Sequence, residues 1–515
     1  MATETKTFES DKTAFRTCSV TGFRVHLPAQ RLILANAVAA VVFLLIGLVM
    51  AILIALTRWE AVHLLPADLY YRFTSIHGTD MLVLWIVFFE VAGLYFGGAV
   101  MLNARLILPR LAWLAYALMV AGAVMVNVVM FTGGADVMFT AYVPLKAHPA
   151  FYLGVILFAV GALIAVGLFL ANIIVAKRER AFTGSVPLVT YGLIAAAVIA
   201  VYTLLSGAIT FVPAFFWSIG LIPDYDPALY RVLFWAFGHP AQQINLAAMV
   251  AVWYALGALT VGAKPVNEKL SRVAFLLYIL FINLGSVHHL MVDPGLSQHN
   301  RIFNTSYFIY LAVVASMIHA YSIPAGVEVA QRAKGYVKGI FQWLVRAPWK
   351  EPGFAALAVS LVIFGFIGGT SGVIQGTLQL NLIAHNTLRI PGHFHATVVG
   401  GTTLAFMGLA YYLVPLMASR QLVGLKWAKV QPYIFGAGIT LLSLGMMWSG
   451  ILGVPRRTWD ISPEGAALAA PAYEGAQFTT AILGMGGSIA TIGGIIFVLI
   501  MVLTLLNGKK MERAR

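Results

Sequence analysis

The sequence predicts an all-α, polytopic membrane protein: twelve transmembrane helices in one bundle, with both termini in the cytoplasm. Three observations predict it. Of 515 residues, 60% are hydrophobic and only 10% are charged, where soluble proteins carry about 25% charged residues. Apolar runs recur along the chain, each long enough to cross a hydrocarbon core of ~30 Å at ~1.5 Å per residue. The basic residues are shared unequally between the two sets of connections, which sets orientation.

The first run, 33–57, follows a polar tail over residues 1–31, so no cleavable signal peptide is expected. The second, 70–101, encloses His77, Asp80 and Glu90. The third and fourth span 112–131 and 150–176, and Lys177-Arg178-Glu179-Arg180 stops the fourth. The fifth covers 186–212, and the sixth, 229–261, contains Phe237-Gly238-His239-Pro240-Ala241-Gln242-Gln243. The seventh, 271–292, ends on His288-His289. The eighth, 303–325, precedes the longest connection, 332–352, which reads as an amphipathic surface segment. The remaining runs are 353–380, 390–417, 429–453 and 476–506.

An even number of spans puts both ends on one side. Eight of the 33 Lys and Arg, Arg456 and Arg457 among them, fall on one side; the other 25 fall in the tails and even-numbered connections. The positive-inside rule makes that second side cytoplasmic. The domain division is then a cytoplasmic tail 1–31, a twelve-helix domain 32–507 and a second tail 508–515. The net charge of +14 is explained by basic helix ends, so no nucleic-acid partner is expected. The single cysteine, Cys18, excludes an internal disulfide, a thiolate cluster and a CxxCH haem attachment.

Six histidines fall in the outer half of this topology: His77, His239, His288, His289, His393 and His395. Polar groups at membrane depth are costly and mark function. A lone membrane histidine is more often a packing residue, the reading given to His148, His299 and His319. An adjacent pair, a His-x-His and two more at matching depth outweigh it. His393 and His395, at the head of the tenth span, differ by ~200° in direction at ~3.6 residues per turn. They therefore serve two sites, one on each flank. Two axial imidazoles suit a low-spin electron-transfer haem, one leaves an open position on a second haem, and three more suit copper.

His385-Asn386-Thr387-Leu388-Arg389-Ile390-Pro391-Gly392-His393-Phe394-His395 and Gly285-Ser286-Val287-His288-His289…Asp293-Pro294-Gly295 resemble the catalytic subunit of the haem–copper oxidase superfamily, and most of all its B-type branch. The resemblance covers nearly the whole chain. It implies the subunit I arrangement of helices, two haems (a low-spin b-type and a high-spin b- or a-type) and copper, rather than iron, at the non-haem site. His77 and His395 would ligate the low-spin haem, His393 the high-spin haem, and His239, His288 and His289 the copper. Arg456 and Arg457 match the family's arginines that bind haem propionates, and guanidinium pairs well with carboxylate. His385 matches a family position near the propionates.

The chain departs from the pattern at Gln243. Oxygen-reducing members of the A and B branches carry there a tyrosine cross-linked to the metal-binding histidine. Tyr278, the one tyrosine of the seventh span, stands ten residues before His288. That is ~15 Å along a regular helix, which is read as too far to replace it. Nitric oxide reduction takes two electrons and needs no protein radical. The expected function is therefore reduction of nitric oxide to nitrous oxide, with Gln243 directed at the gas or at an imidazole; reduction of O2 to water with proton pumping is the alternative.

Two proton-carrying sets are expected: Ser316, His319, Ser322 and Glu328 on the eighth span with Tyr254 on the sixth, and the carboxyls Asp80 and Glu90. The chain lacks a cupredoxin-like motif. Electrons are thus expected from a second subunit carrying copper or cytochrome c, with quinol a further option. The resemblance places the protein among lipids of a bacterial or archaeal plasma membrane.

Overall fold

The computed structural model describes residues 14–19, 21–282, 284–460 and 475–511; the ends of the two expected tails, 1–13 and 512–515, lie outside them. A short hairpin, β1 (Phe15–Thr17) against β2 (Arg24–His26), leads into α1 (Leu27–Arg58). α1 therefore starts before the run near Leu32, with Pro28 in its first turn, where a missing N–H costs nothing. There follow α2 (Ala67–Val100), α3 (Pro109–Phe131), α4 (Pro149–Arg178), α5 (Leu188–Ser218) and α6 (Pro227–Val261). Pro109, Pro149 and Pro227 open their helices, and the Asp226 carboxylate caps α6 by accepting from the Ala228 N–H at 2.8 Å.

The seventh segment differs from expectation. α7 runs only over Glu268–Leu277, widens into a π turn at Tyr278–Ile282, and tightens into a 3₁₀ turn at Gly285–His289. Among the described residues there are consequently eleven continuous helices long and apolar enough to cross a membrane, not twelve. The tight turn draws the two adjacent histidines in toward α6.

The others are α8 (Gln298–Ala333), α9 (Pro352–Gly376), α10 (Arg389–Ala418), α11 (Leu425–Ile451) and α12 (Ala476–Asn507). The 332–352 connection folds around a one-turn helix, Gln342–Val345, with Val337, Ile340, Phe341 and Val345 exposed. α11 and α12 pack backbone to backbone: a methyl group at Gly438 would overlap the Ala490 nitrogen, and one at Gly486 the Leu442 nitrogen. Small residues permit such an approach, which supplies the van der Waals contact that replaces the hydrophobic effect between helices in lipid.

α10 is the hub. In its most apolar stretch 89% of residues are buried, against 22% in α8. Arg16 donates to the Leu416 carbonyl, and the backbone of Arg420 forms an antiparallel bridge with that of Lys510. These contacts gather the N-terminal hairpin and the C-terminus at the far end of α10 from its histidines.

Candidate functional site

α10 turns its two histidines to opposite flanks. The His393 ring faces α9, where Nδ1 lies 3.1 Å from the Gly368 carbonyl and 3.0 Å from Ser371 Oγ. Gly372 leaves room for it, since a methyl group there would meet Cε1 at 3.0 Å. The His395 ring faces His77 on α2, with centroids 6.2 Å apart and planes within 13°. Two metal–nitrogen bonds of ~2 Å and two ring radii of ~1 Å span about 6 Å, so the spacing fits one metal ion between two imidazoles. Each ring spends Nδ1–H on a carbonyl, His77 on Gly47 at 3.0 Å and His395 on Pro391 at 2.7 Å. That fixes the tautomer and leaves both Nε2 lone pairs for a metal.

The triad is held differently. His239, His288 and His289 place one ring nitrogen each within 4.8 Å of one another. His239 Nδ1 lies 3.2 Å from His289 Nε2. His288 donates Nδ1–H to the Gly285 carbonyl at 2.5 Å. His289 stacks on Trp235, centroids 3.7 Å apart and planes within 5°. Trp235, His239 and Gln243 stand four residues apart on α6, hence on one face. The Gln243 amide nitrogen lies 3.5 Å from His239 Nε2.

Between these groups lies a cavity of about 920 Å³, lined by all six histidines and by Arg456 and Arg457. Its mouth is cationic. The stretch from Asn386 to Leu388 pairs with Val454–Arg456: Leu388 N–H donates to the Val454 carbonyl at 2.9 Å, and Arg456 N–H to that of Asn386 at 2.8 Å. This brings His385 beside Arg456. Burial pushes His385 down to about 4, with the Arg456 charge next in effect. Burial, then the neighbouring Arg457, lowers Arg456 to about 9. Arg456 Nε and His385 Nε2 are buried and without a partner. Arg231 and Asp293 pair bidentately at 2.6 and 2.8 Å, so Asp293 does not neutralise both arginines of the mouth. Orphaned donors beside a large apolar cavity fit a group with an apolar body and carboxylate arms, as haem has.

Some expected groups come together and others do not. Tyr254 Oη lies 3.0 Å from His319 Nδ1 and 3.0 Å from Ser271 Oγ, which lies 3.2 Å from Ser322 Oγ. Glu328 stays out of this chain, in an ion pair with Arg332 at 2.7 Å. Asp80 Oδ1 accepts from Asn127 at 2.9 Å while its Oδ2 and Glu90 Oε1 are buried without partners. Tyr278, read from sequence as too distant, lines the histidine cavity and shares a 3.0 Å hydrogen bond with Ser316. Sequence reasoning missed Trp235, Ser271 and Ser371. Trp235 had a signal, four residues before His239; the two serines had none.

Comparison with known proteins agrees with this geometry. Residues 31–508 match the family described as Cytochrome C and Quinol oxidase polypeptide I. The chain is 31% identical over 399 residues to cytochrome c oxidase subunit 1 of Thermus thermophilus, covering 76% of this chain and 69% of that one. It is 27% identical over 455 residues to cytochrome c oxidase subunit 1 of Thermostichus vulcanus, covering 83% and 76%. A haem–copper terminal oxidase dimer solved by cryo-EM superposes with a TM-score of 0.89 at 27% identity, over 94% of this chain and 85% of that one. The six-histidine cavity thus sits in a chain that belongs to the haem–copper oxidase subunit I family.

Proposed function

We propose that this chain is the catalytic subunit of a respiratory reductase in a bacterial or archaeal plasma membrane, with a diatomic gas as its electron acceptor. The observation that carries the reading is the convergence of six imidazoles on one cavity. When bound, two haems and a copper ion supply electron transfer and a two-metal site for gas reduction. His77 and His395 hold the low-spin haem, His393 the high-spin haem, and His239, His288 and His289 the copper. Trp235 fixes the plane of His289 by stacking. Arg456, Arg457 and His385 meet propionates and compensate the cationic mouth. The motif match with the B-type branch supports twelve membrane crossings, the broken seventh segment included, with the termini on the cytoplasmic side. A second subunit carrying copper or cytochrome c, or quinol itself, delivers electrons.

Two acceptors each have support. Dioxygen is favoured by the relatives, which are named cytochrome c oxidase subunit 1. Its four-electron reduction calls on a phenol, and Tyr278 is the phenol on the seventh segment that lines the cavity. Nitric oxide is favoured by Gln243, whose amide faces His239 where an oxygen reductase of this type has a tyrosine. An amide offers hydrogen bonds but no radical, and the two-electron reaction needs none.

Turnover of both gases by one purified preparation tests the reading. Oxygen consumption without nitrous oxide formation establishes a terminal oxidase. Nitrous oxide formation faster than oxygen consumption establishes a nitric oxide reductase. A preparation without haem absorption, or one that reduces neither gas, overturns both.

A further inference from the structure

The His393 ring is held unlike the other two rings assigned to haem. His77 and His395 each rest on one backbone carbonyl, that of Gly47 at 3.0 Å and that of Pro391 at 2.7 Å. His393 Nδ1 has two acceptors on α9, the Gly368 carbonyl at 3.1 Å and Ser371 Oγ at 3.0 Å. Glycines bring them within reach. A methyl group at Gly368 would meet Thr397 Cγ2 at 2.6 Å, and one at Gly372 would meet the His393 ring at 3.0 Å. A serine inside a helix can turn its hydroxyl back on the preceding turn. Ser371 does so, with Oγ 2.6 Å from the Ile367 carbonyl and 3.0 Å from that of Gly368. Its one proton is thereby used, and a lone pair remains for His393. Ser371 is 5% exposed, so the two groups meet away from bulk water.

An imidazole that offers Nε2 to a metal carries its proton on Nδ1, and an acceptor at Nδ1 fixes the ring and raises the basicity of Nε2. A second acceptor adds to both effects. We propose that Ser371 is a positioning residue for His393: its hydroxyl accepts from Nδ1–H beside the Gly368 carbonyl and so strengthens Nε2 as the ligand of the high-spin haem. A more basic ligand favours oxidised over reduced iron, so the hydroxyl lowers the reduction potential of that haem relative to a ring held by the carbonyl alone. α10 thus carries one ligand anchored by backbone only, His395, and one whose donor strength a side chain adjusts, His393. The adjusted ligand belongs to the haem with the open position.

The inference rests on the reading of His393 as the high-spin haem ligand, and its test avoids gas turnover. S371A removes the hydroxyl and S371T keeps one. In the reduced, gas-free holoenzyme, resonance Raman spectra read the iron–histidine stretch and a spectroelectrochemical titration reads the potential of each haem. In S371A the stretch is expected at lower frequency and the high-spin potential at a higher value. Release of that haem to apomyoglobin should be about tenfold faster, the low end of the ~10–100-fold loss seen when a ligand's partner is removed. S371T should return all three toward the unsubstituted values, and the low-spin spectrum should hold in both variants. A stretch that does not move in S371A overturns the proposal and leaves His393 as a ligand. So does an equal shift in S371T, or an equal change at the low-spin haem, either of which marks a packing effect. Absence of an iron–histidine stretch in the unsubstituted holoenzyme overturns the ligand reading and the proposal together.

Discussion

The paired imidazoles of α2 and α10 and the triad of α6 and α7 are fixed by different means. His77 and His395 rest on the backbone carbonyls of Gly47 and Pro391. Every residue has a carbonyl, so sequence change at those positions does not remove the anchor. In the triad, His288 has such an anchor, whereas His289 leans on the Trp235 ring and His239 faces the Gln243 amide. Side chains can be exchanged. The difference locates where such a site can vary: the His77–His395 pair is held by backbone carbonyls, while two rings of the triad lean on their neighbours' side chains.

Substitutions can break or sharpen this contrast, and the largest effect is expected at the pair. His395→Ala should abolish the low-spin haem spectrum and lower turnover by about a hundredfold or more, the loss expected of a proposed axial ligand; reduced-minus-oxidised spectra and gas consumption check it. His239→Ala should remove copper from the purified protein while the low-spin spectrum survives, as metal analysis beside the same spectra would show. Loss of both centres together would contradict the independence of the two sites.

Trp235→Leu should weaken copper binding by about tenfold, within the ~10–100-fold seen for partners that orient metal ligands; competition with a copper chelator measures it. A matching substitution at Gly47, to Ala, should act through the Met81 side chain it crowds and leave the His77 hydrogen bond to the carbonyl available. Its spectral shift should be smaller than the loss at Trp235.

The smallest effect concerns pH. Burial holds His385 near 4 in the folded protein, below the ~6.5 of a free imidazole. Between those values the unfolded chain binds more protons, so this residue's contribution to stability rises with pH through that window and is lost as pH falls. His385→Gln should reduce the gap between thermal midpoints at pH 4.5 and 7; an unchanged gap would argue against the effect.

Much of this was legible in the residues themselves. Eleven spans follow from apolar length, because lipid demands a continuous run and leaves little freedom in placing it. The seventh was not, since hydropathy reports burial and is blind to where a helix widens at Tyr278 or tightens at Gly285. The opposite directions of His393 and His395 follow from helical pitch. The partners of Glu328 do not: spacing places it near the face of Ser322, but Arg332 holds it in an ion pair.

By itself, the sequence determined the membrane character, eleven of the helical segments and the six histidines that line the cavity, because each can be read from local composition, periodicity or motif. Only the tertiary structure decided which nitrogen of each ring is left for a metal, which donors at the cavity mouth lack partners, and that Tyr278 and His319 reach the same space. Those facts depend on carbonyls and side chains distant in sequence, and no local rule specifies how a packed bundle aligns them.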